Sequence, residues 1–258
     1  MNKKWAYGLG VFLCVAVTAA TARAGCVGNC GTDTANGVVT LPPGFSSYLF
    51  VSTSGGPISG GNLPATFGSP GVSSTNGSTY TTPTFSATAG ELINFDFNYV
   101  TSDGSGFPDY AWAALLSTDG GTNYLIFSAQ TQPSGNTVPG ATMPALAAGA
   151  SLTPPTSAII PGGPVWAELG GSSGSCWAAG CGYTGWIESE FTGEAADNYV
   201  LEFGVSNSND VYYDSGLAFA GVEVGGSPVI PSPEPASIAV TGIAMGALAL
   251  VRRRRKAA

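Results

Sequence analysis

The chain has 258 residues, with 16 acidic and 8 basic side chains, no histidine and a formal net charge of −8. Every basic residue lies in the first 23 or the last seven positions, so residues 25–251 carry acids only. Without histidine or lysine there, Ser-His-Asp and Cys-His hydrolysis, Schiff-base chemistry and histidine zinc sites are excluded, and only carboxylate chemistry remains. Nucleic acids and anionic membranes are poor partners for a purely negative surface.

The N-terminus predicts a signal peptide over residues 1–24. Lys3 and Lys4 precede an apolar stretch at 5–20, and Ala22-Arg23-Ala24 forms a small-x-small cleavage site. We therefore expect export through the Sec translocon and cleavage by signal peptidase. A second interpretation is a lipoprotein modified on Cys26, but Arg23 stands where a lipobox has an aliphatic residue.

The segment after the signal peptide contains a lead-in and then an all-β domain. Residues 25–44 are small, polar and broken by Pro42-Pro43, which predicts an extended lead-in held by a disulfide. Within 45–226, residues 92–100 give the clearest strand, because large apolar side chains alternate with polar ones and place Asp96 on the opposite face. The remaining strands are expected at 45–51, 79–87, 110–117, 123–129, 165–169, 185–191, 199–206 and 217–224.

Two stretches rich in glycine, proline and small residues, 52–76 and 130–164, predict long surface loops, the second with a helical turn near 145–148. Many short strands and no amphipathic helix favour a single β-sandwich of jelly-roll type. A solenoid is the alternative, but the chain has no repeat of fixed period.

Four cysteines remain after the signal peptide: Cys26, Cys30, Cys176 and Cys181. They allow three connectivities. We favour Cys26–Cys30 and Cys176–Cys181, because each pair brackets a short loop that contains glycine. The alternative links the N-terminal segment to the later loop and would constrain more chain entropy. Either arrangement suits a structural role in an oxidising compartment.

The C-terminal residues 227–258 predict a three-part tail. Pro233, Glu234 and Pro235 precede an uncharged apolar segment at 236–251, which as a helix spans about 24 Å. This is short of the roughly 30 Å hydrocarbon core of a bilayer, but flanking basic side chains extend the reach and stay cytoplasmic. The basic stop consists of Arg252, Arg253, Arg254, Arg255 and Lys256. An uncut membrane anchor and a nucleic-acid-binding tail are alternatives, although neither requires the prolines around Glu234.

This tail resembles the PEP-CTERM sorting signal of Gram-negative bacteria. The resemblance implies an exosortase as processing enzyme, transient anchoring in the inner membrane through the helix, and delivery to the outer surface or extracellular matrix. It also implies an association with exopolysaccharide. The stretches at 100–112, 176–186 and 204–224 look like an extracellular domain carried by such proteins, which is similar to galactose-binding-like sandwiches.

Acidic residues suggest a structural Ca²⁺ site, the one candidate cofactor. If the strands that carry them meet, six acids converge with the carbonyl groups of Gly104 or Gly106 on a hard cation. These acids are Asp96, Asp103, Asp109, Asp210, Asp214 and Glu223. Their spacing matches no known Ca²⁺ motif, and Asp103 and Asp109 equally suit turns in which an aspartate binds its own backbone.

Aromatic residues of the stretch 176–186, which begins with the loop between the later cysteines, suggest a sugar-binding surface formed by Trp177, Tyr183 and Trp186, to which Trp112 or Trp166 could add. The alternative is that Trp166 and Trp186 fill the core while Trp177 packs under its own disulfide.

We expect a non-catalytic exported protein of the cell surface or matrix that contacts exopolysaccharide. Two other classes remain open. One is a carboxylate-dependent glycan hydrolase that uses a pair from Glu188, Glu190, Asp210 and Asp214. The other is a purely structural biofilm protein.

Overall fold

The computed structural model describes residues 25–230. The predicted signal peptide, sorting motif, membrane helix and basic stop lie outside these residues. Among the residues described, no helix is both long and apolar enough to cross a membrane.

The chain folds into two packed antiparallel sheets, numbered here along the chain. The six-stranded sheet contains, in order, β1 (Gly25–Val27), β4 (Ser74–Thr81), β15 (Asp197–Ser208), β7 (Tyr110–Ser117) and β8 (Tyr124–Gln130), with β5 (Phe85–Ala87) beside β15. The nine-stranded sheet contains β10 (Ala150–Thr153), β14 (Ile187–Thr192), β6 (Leu92–Thr101), β16 (Ser215–Val224), β3 (Tyr48–Ser52) and β2 (Asn29–Asp33). Its short additional strands are β12 (Ile160–Pro161), β13 (Gly182–Tyr183) and β17 (Ser227–Pro228). A separate pair joins β9 (Asn136–Val138) to β11 (Ser157–Ala158).

The main core lies between the two sheets. As predicted, β6 turns its large apolar side chains inward, where Phe95 and Phe97 are at most 1% exposed. Phe203 of β15 stacks on Phe219 of β16, with ring centroids 3.8 Å apart. The alternation therefore places the polar residues of β6, Asp96 among them, on the outer face. The prediction of an all-β sandwich is confirmed at this level.

The two stretches predicted as long surface loops, 52–76 and 130–164, pack against the outer face of the six-stranded sheet. On the six-stranded sheet, Trp112 of β7 packs with Leu63 and Met143 from the two glycine- and proline-rich stretches. On the nine-stranded sheet, Trp166 and Leu169 form a second outer cluster. These contacts explain why such loops carry so little charge.

Four local predictions need correction. The predicted strand at 165–169 is wrong, since a 3₁₀ helix spans Ala167–Ser172 and directs both Trp166 and Leu169 onto the sheet. The expected helical turn near 145–148 is absent from the described structure. The predicted loop at 52–76 contains a 3₁₀ helix at Ala65–Phe67. The lead-in at 25–44 supplies β1 and β2, which pair with one sheet each.

Both predicted short disulfides are present. Cys26 and Cys30 are joined with their Cα atoms 6.1 Å apart, and Cys176 and Cys181 with theirs 5.5 Å apart. The long-range connectivity left open by the sequence does not form.

Candidate functional site

One end of the sandwich brings together three segments, 101–109, 176–181 and 209–215, which we call the loop end. The backbone N–H of Trp177 donates to the carbonyl oxygen of Ser102 at 3.0 Å, and that of Ser105 donates to Ala179 at 2.9 Å. Gly104 permits this approach, because a Cβ there would stand 2.5 Å from the carbonyl oxygen of Ala178. The disulfide-clamped loop is thus fixed directly onto the loop that follows β6.

The loop end carries an aromatic cluster of Phe107, Trp177 and Tyr213. The Trp177 ring lies 6.0 Å from Phe107 at an interplanar angle of 79°, and 5.3 Å from Tyr213 at 48°. Trp177 remains 51% exposed. The neighbouring Tyr212 is 69% exposed. The exposed half of Trp177 therefore offers aromatic surface for contact with a sugar ring.

Only one of the three predicted sugar-binding aromatics belongs to this cluster. Trp186 lies on the outer face of the nine-stranded sheet, where its indole N–H donates to the carbonyl oxygen of Thr40 at 2.9 Å. Tyr183 packs in the same outer apolar cluster. The sequence missed Phe107 and Tyr213. The pairing of β6 with β16 would have revealed them, because Phe107 follows the first strand and Tyr213 precedes the second.

Beneath the cluster lies a buried carboxylate, Asp109, with both of its oxygens bonded. One accepts from the backbone N–H of Ser208 at 2.8 Å and the other from the hydroxyl of Ser215 at 2.6 Å. Burial raises the pKa of Asp109 well above its usual value, and the charge of Asp103 adds to this effect. Asp109 therefore joins the end of β15 to the start of β16.

A second buried carboxylate, Asp103, is only half satisfied. Its Oδ1 accepts from the backbone N–H of Gly104 at 2.8 Å, whereas its Oδ2 is buried without a hydrogen-bond partner. Burial raises the pKa of Asp103 to about 7; the Gly104 bond lowers it, and the Asp210 charge raises it further. No basic side chain exists among residues 25–230 to compensate these acids. The loop end therefore groups buried acids that have no basic partner and whose protonated forms are favoured.

Two further acids belong to the loop end. Asp214 accepts from the hydroxyl groups of Thr53 at 3.1 Å and Ser172 at 3.0 Å, so its carboxylate fixes adjacent loops. Asp210 accepts from the backbone N–H of Tyr212 at 3.0 Å and is half-buried. Asp210 thus lies two residues before the exposed Tyr212, and like Asp214 it is half-buried and reaches solvent.

The six predicted Ca²⁺ ligands are divided between two places. Asp103, Asp109, Asp210 and Asp214 gather at the loop end, but Asp96 and Glu223 lie toward the other end of the nine-stranded sheet. Within residues 25–230, no three Asp, Glu, Cys or His side chains stand close enough to hold a metal ion. Ca²⁺ prefers six to eight oxygen ligands, so the carboxylates alone make a poor fit. Ca²⁺ binding stays a prediction.

The predicted hydrolase carboxylates lie in two groups, with Glu188 and Glu190 on β14 and Asp210 and Asp214 at the loop end. Glu188 lies opposite Asp96 on β6, whereas Asp214 binds Ser102, six residues further along that strand and its loop. At about 3.3 Å per residue this is roughly 20 Å, well beyond the spacing of a glycosidase pair. Glu188 faces Asp96 instead. Burial raises the pKa of Asp96 to about 6, and the charge of Glu188 raises it in addition.

At the opposite end of the sandwich, a groove of about 330 Å³ opens between the two sheets. Its walls are mainly apolar and include Phe45, Tyr80, Phe219, Val222 and Ile230. Glu223 is the one acid in the lining. This groove offers hydrophobic contact and lacks the grouped polar side chains of the loop end.

Comparison of the chain with protein-family models, with curated proteins and with solved structures found no match. Its function is therefore inferred from its own contacts and charges.

Proposed function

We propose that this chain is an exported, non-catalytic surface or matrix protein, sorted by an exosortase, whose jelly-roll-like sandwich contacts exopolysaccharide through the loop end. The signal-peptide pattern and the tail support export and sorting. The two disulfides are compatible with an oxidising compartment. The acidic surface disfavours nucleic acid, and the membrane is a partner only through the tail helix before cleavage.

The observation that carries polysaccharide binding is the exposed indole of Trp177 on a doubly fixed loop. The disulfide closes the loop and two backbone hydrogen bonds hold it against residues 102–105. A large amphipathic ring held in one orientation loses little entropy on binding, which makes stacking on a sugar ring favourable. Phe107 and Tyr213 both pack against the ring.

A binding assay with paired variants tests this proposal. We expect the purified domain 25–230 to be retarded in gels containing a cognate exopolysaccharide, and Trp177→Ala to abolish the retardation. Leu92→Ala is the matched control, because Leu92 is 41% exposed and lies at the start of β6, far from the loop end. If Trp177→Ala binds as well as the wild type, the loop end is not the polysaccharide site, and a purely structural role is favoured.

The intact mass of the protein recovered from its native cells tests sorting. We expect an N-terminus at Gly25 and a C-terminus near Glu234 or Pro235. A mass that includes Arg252–Arg255 would show a permanent anchor and contradict cleavage. Lipid on Cys26 would contradict the signal-peptide interpretation, and the Cys26–Cys30 disulfide disfavours it because it uses the same sulfur.

A specific pair of acids keeps the hydrolase alternative open. Asp96 and Glu188 are direct cross-strand neighbours, and such neighbours have Cβ atoms about 4.5–5.5 Å apart. Asp96 is half-buried with a pKa raised to about 6, while Glu188 is exposed, so the two environments differ as an acid pair requires. Release of reducing sugar by the wild type, lost in both Asp96→Asn and Glu188→Gln, would establish hydrolysis. If no reducing sugar is released from the cognate polysaccharide, the hydrolase alternative is excluded.

A further inference from the structure

The charge of the loop end restricts which glycan it can take. Residues 25–230 contain 15 acids and no basic side chain, so an anionic polymer meets repulsion everywhere on the domain. Three of these acids lie close to one another at the loop end, which also carries the aromatic cluster. Asp103, Asp109 and Asp210 are close enough that the charges of Asp103 and Asp210 raise the pKa of Asp109.

The buried oxygen of Asp103 adds a second, independent observation. Asp103 is fully buried, and its Oδ2 has no hydrogen-bond donor. Burial raises the pKa of Asp103 to about 7, because its charged form is neither solvated nor paired, so Asp103 is protonated at mildly acidic pH. A ligand that brings positive charge to the adjacent surface favours the ionised form of Asp103 and gains Coulomb energy from it.

The aromatic cluster supplies the complementary contact. An ammonium group over the face of an indole is attracted by the ring quadrupole. About half of the Trp177 side chain is open to solvent, and Phe107 and Tyr213 pack against its ring. Asp210 lies in the segment that also carries Tyr212 and Tyr213. An amino group on a pyranose ring is the ligand feature that uses the ring and the acid together.

We propose that the loop end selects a polysaccharide of amino sugars with free, protonated amines, and that Trp177 and Asp210 recognise each amine-bearing ring together. This inference rests on the proposed polysaccharide-binding function and names the class of glycan. Neutral glycans retain only stacking on Trp177. Polymers of uronic acids or sulfated sugars are repelled.

Two probes of equal length test the proposal. They are the β-1,4-linked glucosamine hexamer and its fully N-acetylated form, each titrated into the domain at one mildly acidic pH where the free amine is protonated. We expect the free-amine hexamer to bind about tenfold more tightly, since tenfold corresponds to about 1.4 kcal/mol. Rising salt should weaken the binding of the free-amine hexamer and leave that of the acetylated form unchanged.

Three variants separate recognition from general attraction between opposite charges. Trp177→Ala should abolish the binding of both hexamers. Asp210→Asn should weaken the free-amine hexamer severalfold without affecting the acetylated one. Glu223→Gln is the matched control, since it removes the same charge at the opposite end of the nine-stranded sheet and should change neither.

The outcomes distinguish this inference from the proposed function. Equal binding of the two hexamers would overturn amine selection and leave polysaccharide binding intact. Free-amine binding that survives Trp177→Ala, or that falls equally with Asp210→Asn and Glu223→Gln, would show adsorption of a polycation and also overturn the inference. If neither hexamer nor any cognate polysaccharide binds, the proposed function fails as well.

Discussion

The backbone N–H of Trp177 donates a hydrogen bond to the carbonyl oxygen of Ser102 at 3.0 Å, and Ser102 is held in place by two hydrogen bonds of its own. The backbone N–H and the hydroxyl of Ser102 both donate to the carbonyl oxygen of Asp214, at 3.1 and 2.8 Å. One residue thus connects the clamped aromatic loop, the end of β6 and the start of β16. The position of the exposed indole depends on all three elements.

The Cys176–Cys181 disulfide, which closes the loop that carries Trp177, should matter more for polysaccharide binding than for folding. Replacing Cys176 and Cys181 by serine releases a short loop, which costs about 2 kcal/mol of stability in the chain-entropy model. We also expect a clear loss of polysaccharide affinity, because Trp177 must then be ordered on binding. Denaturant unfolding and gel retardation measure the two effects.

Serine at Cys26 and Cys30 is the control for the Cys176–Cys181 disulfide, because the Cys26–Cys30 disulfide closes a loop of similar length on the short strands β1 and β2, outside the three segments of the loop end. It should reduce stability by a similar amount and leave affinity unchanged. Equal losses of affinity in both double variants would mean that global stability, and not loop order, controls binding.

Stability should fall as the pH rises, which is the reverse of a protein whose carboxylates are paired with bases. Asp103 has a pKa raised to about 7 and Asp96 one raised to about 6, so the folded chain holds these protons more tightly than the unfolded chain. Their contribution is complete below about pH 4 and is lost as the pH passes through about 6 and 7. We expect the melting temperature to decrease between about pH 5 and about pH 8.

Asp103→Asn removes one of these protons and should flatten the dependence on pH, with a gain of stability above neutrality. Glu194→Gln, at an exposed acid, is the control and should keep the wild-type profile. A melting temperature that rises steadily toward alkaline pH in the wild type would contradict the assignment.

Gly204 is required by packing in the six-stranded sheet. A Cβ at this position of β15 would overlap the indole of Trp112, which is fully buried on β7. Gly204→Ala should therefore cost about 1–3 kcal/mol through overpacking. Gly171→Ala, where a Cβ meets nothing within 4 Å, should be nearly neutral. Urea unfolding of the pair checks the prediction, and equal stabilities would refute it.

The outer apolar cluster should contribute as strongly as the main core. Trp166 is fully buried, packs on Phe50, and donates its indole N–H to the Tyr48 hydroxyl at 3.1 Å. Trp166→Ala should cost about 3–5 kcal/mol. Trp166→Phe keeps most of the packing and should cost much less. A loss below 1 kcal/mol in the alanine variant, measured by urea unfolding, would show that the covering loop adds little.

Calcium remains to be tested by direct titration. Because Asp109 and Asp214 already accept from hydroxyl and amide groups, and no three acids of residues 25–230 stand close enough to hold a metal ion, we expect EDTA and excess Ca²⁺ to leave the melting temperature of the domain unchanged. A Ca²⁺-dependent increase that Asp103→Asn removes would establish a structural ion at this end.

The sequence predicted the features that depend on neighbours along the chain. The alternation in β6 placed Phe95 and Phe97 inward and Asp96 outward, because a strand has a side-chain period of two. The two short disulfides followed from loops that close easily. Pro83 interrupted the strand predicted at 79–87, and the structure divides it there into β4 and β5.

Other features depended on contacts between distant segments. Trp166 and Leu169 looked like strand residues, but Leu169 lies in a 3₁₀ helix and Trp166 directly precedes it, and both pack on a sheet surface formed by residues distant in sequence. Composition alone made residues 52–76 and 130–164 look like solvated loops, since it does not show which surface they cover.

By itself the sequence determined the charge of the domain, the absence of any basic or imidazole side chain, the expected export signals and the all-β class. These follow from counts and local periodicity, which need no knowledge of pairing. The tertiary structure alone decided that Trp177 stands with Phe107 and Tyr213 instead of Trp186, and that Asp103 is buried without a full set of donors. The physical reason is that two kinds of contact join segments more than 60 residues apart: the pairing of β6 with β16, and the hydrogen bond from the backbone N–H of Trp177 to Ser102.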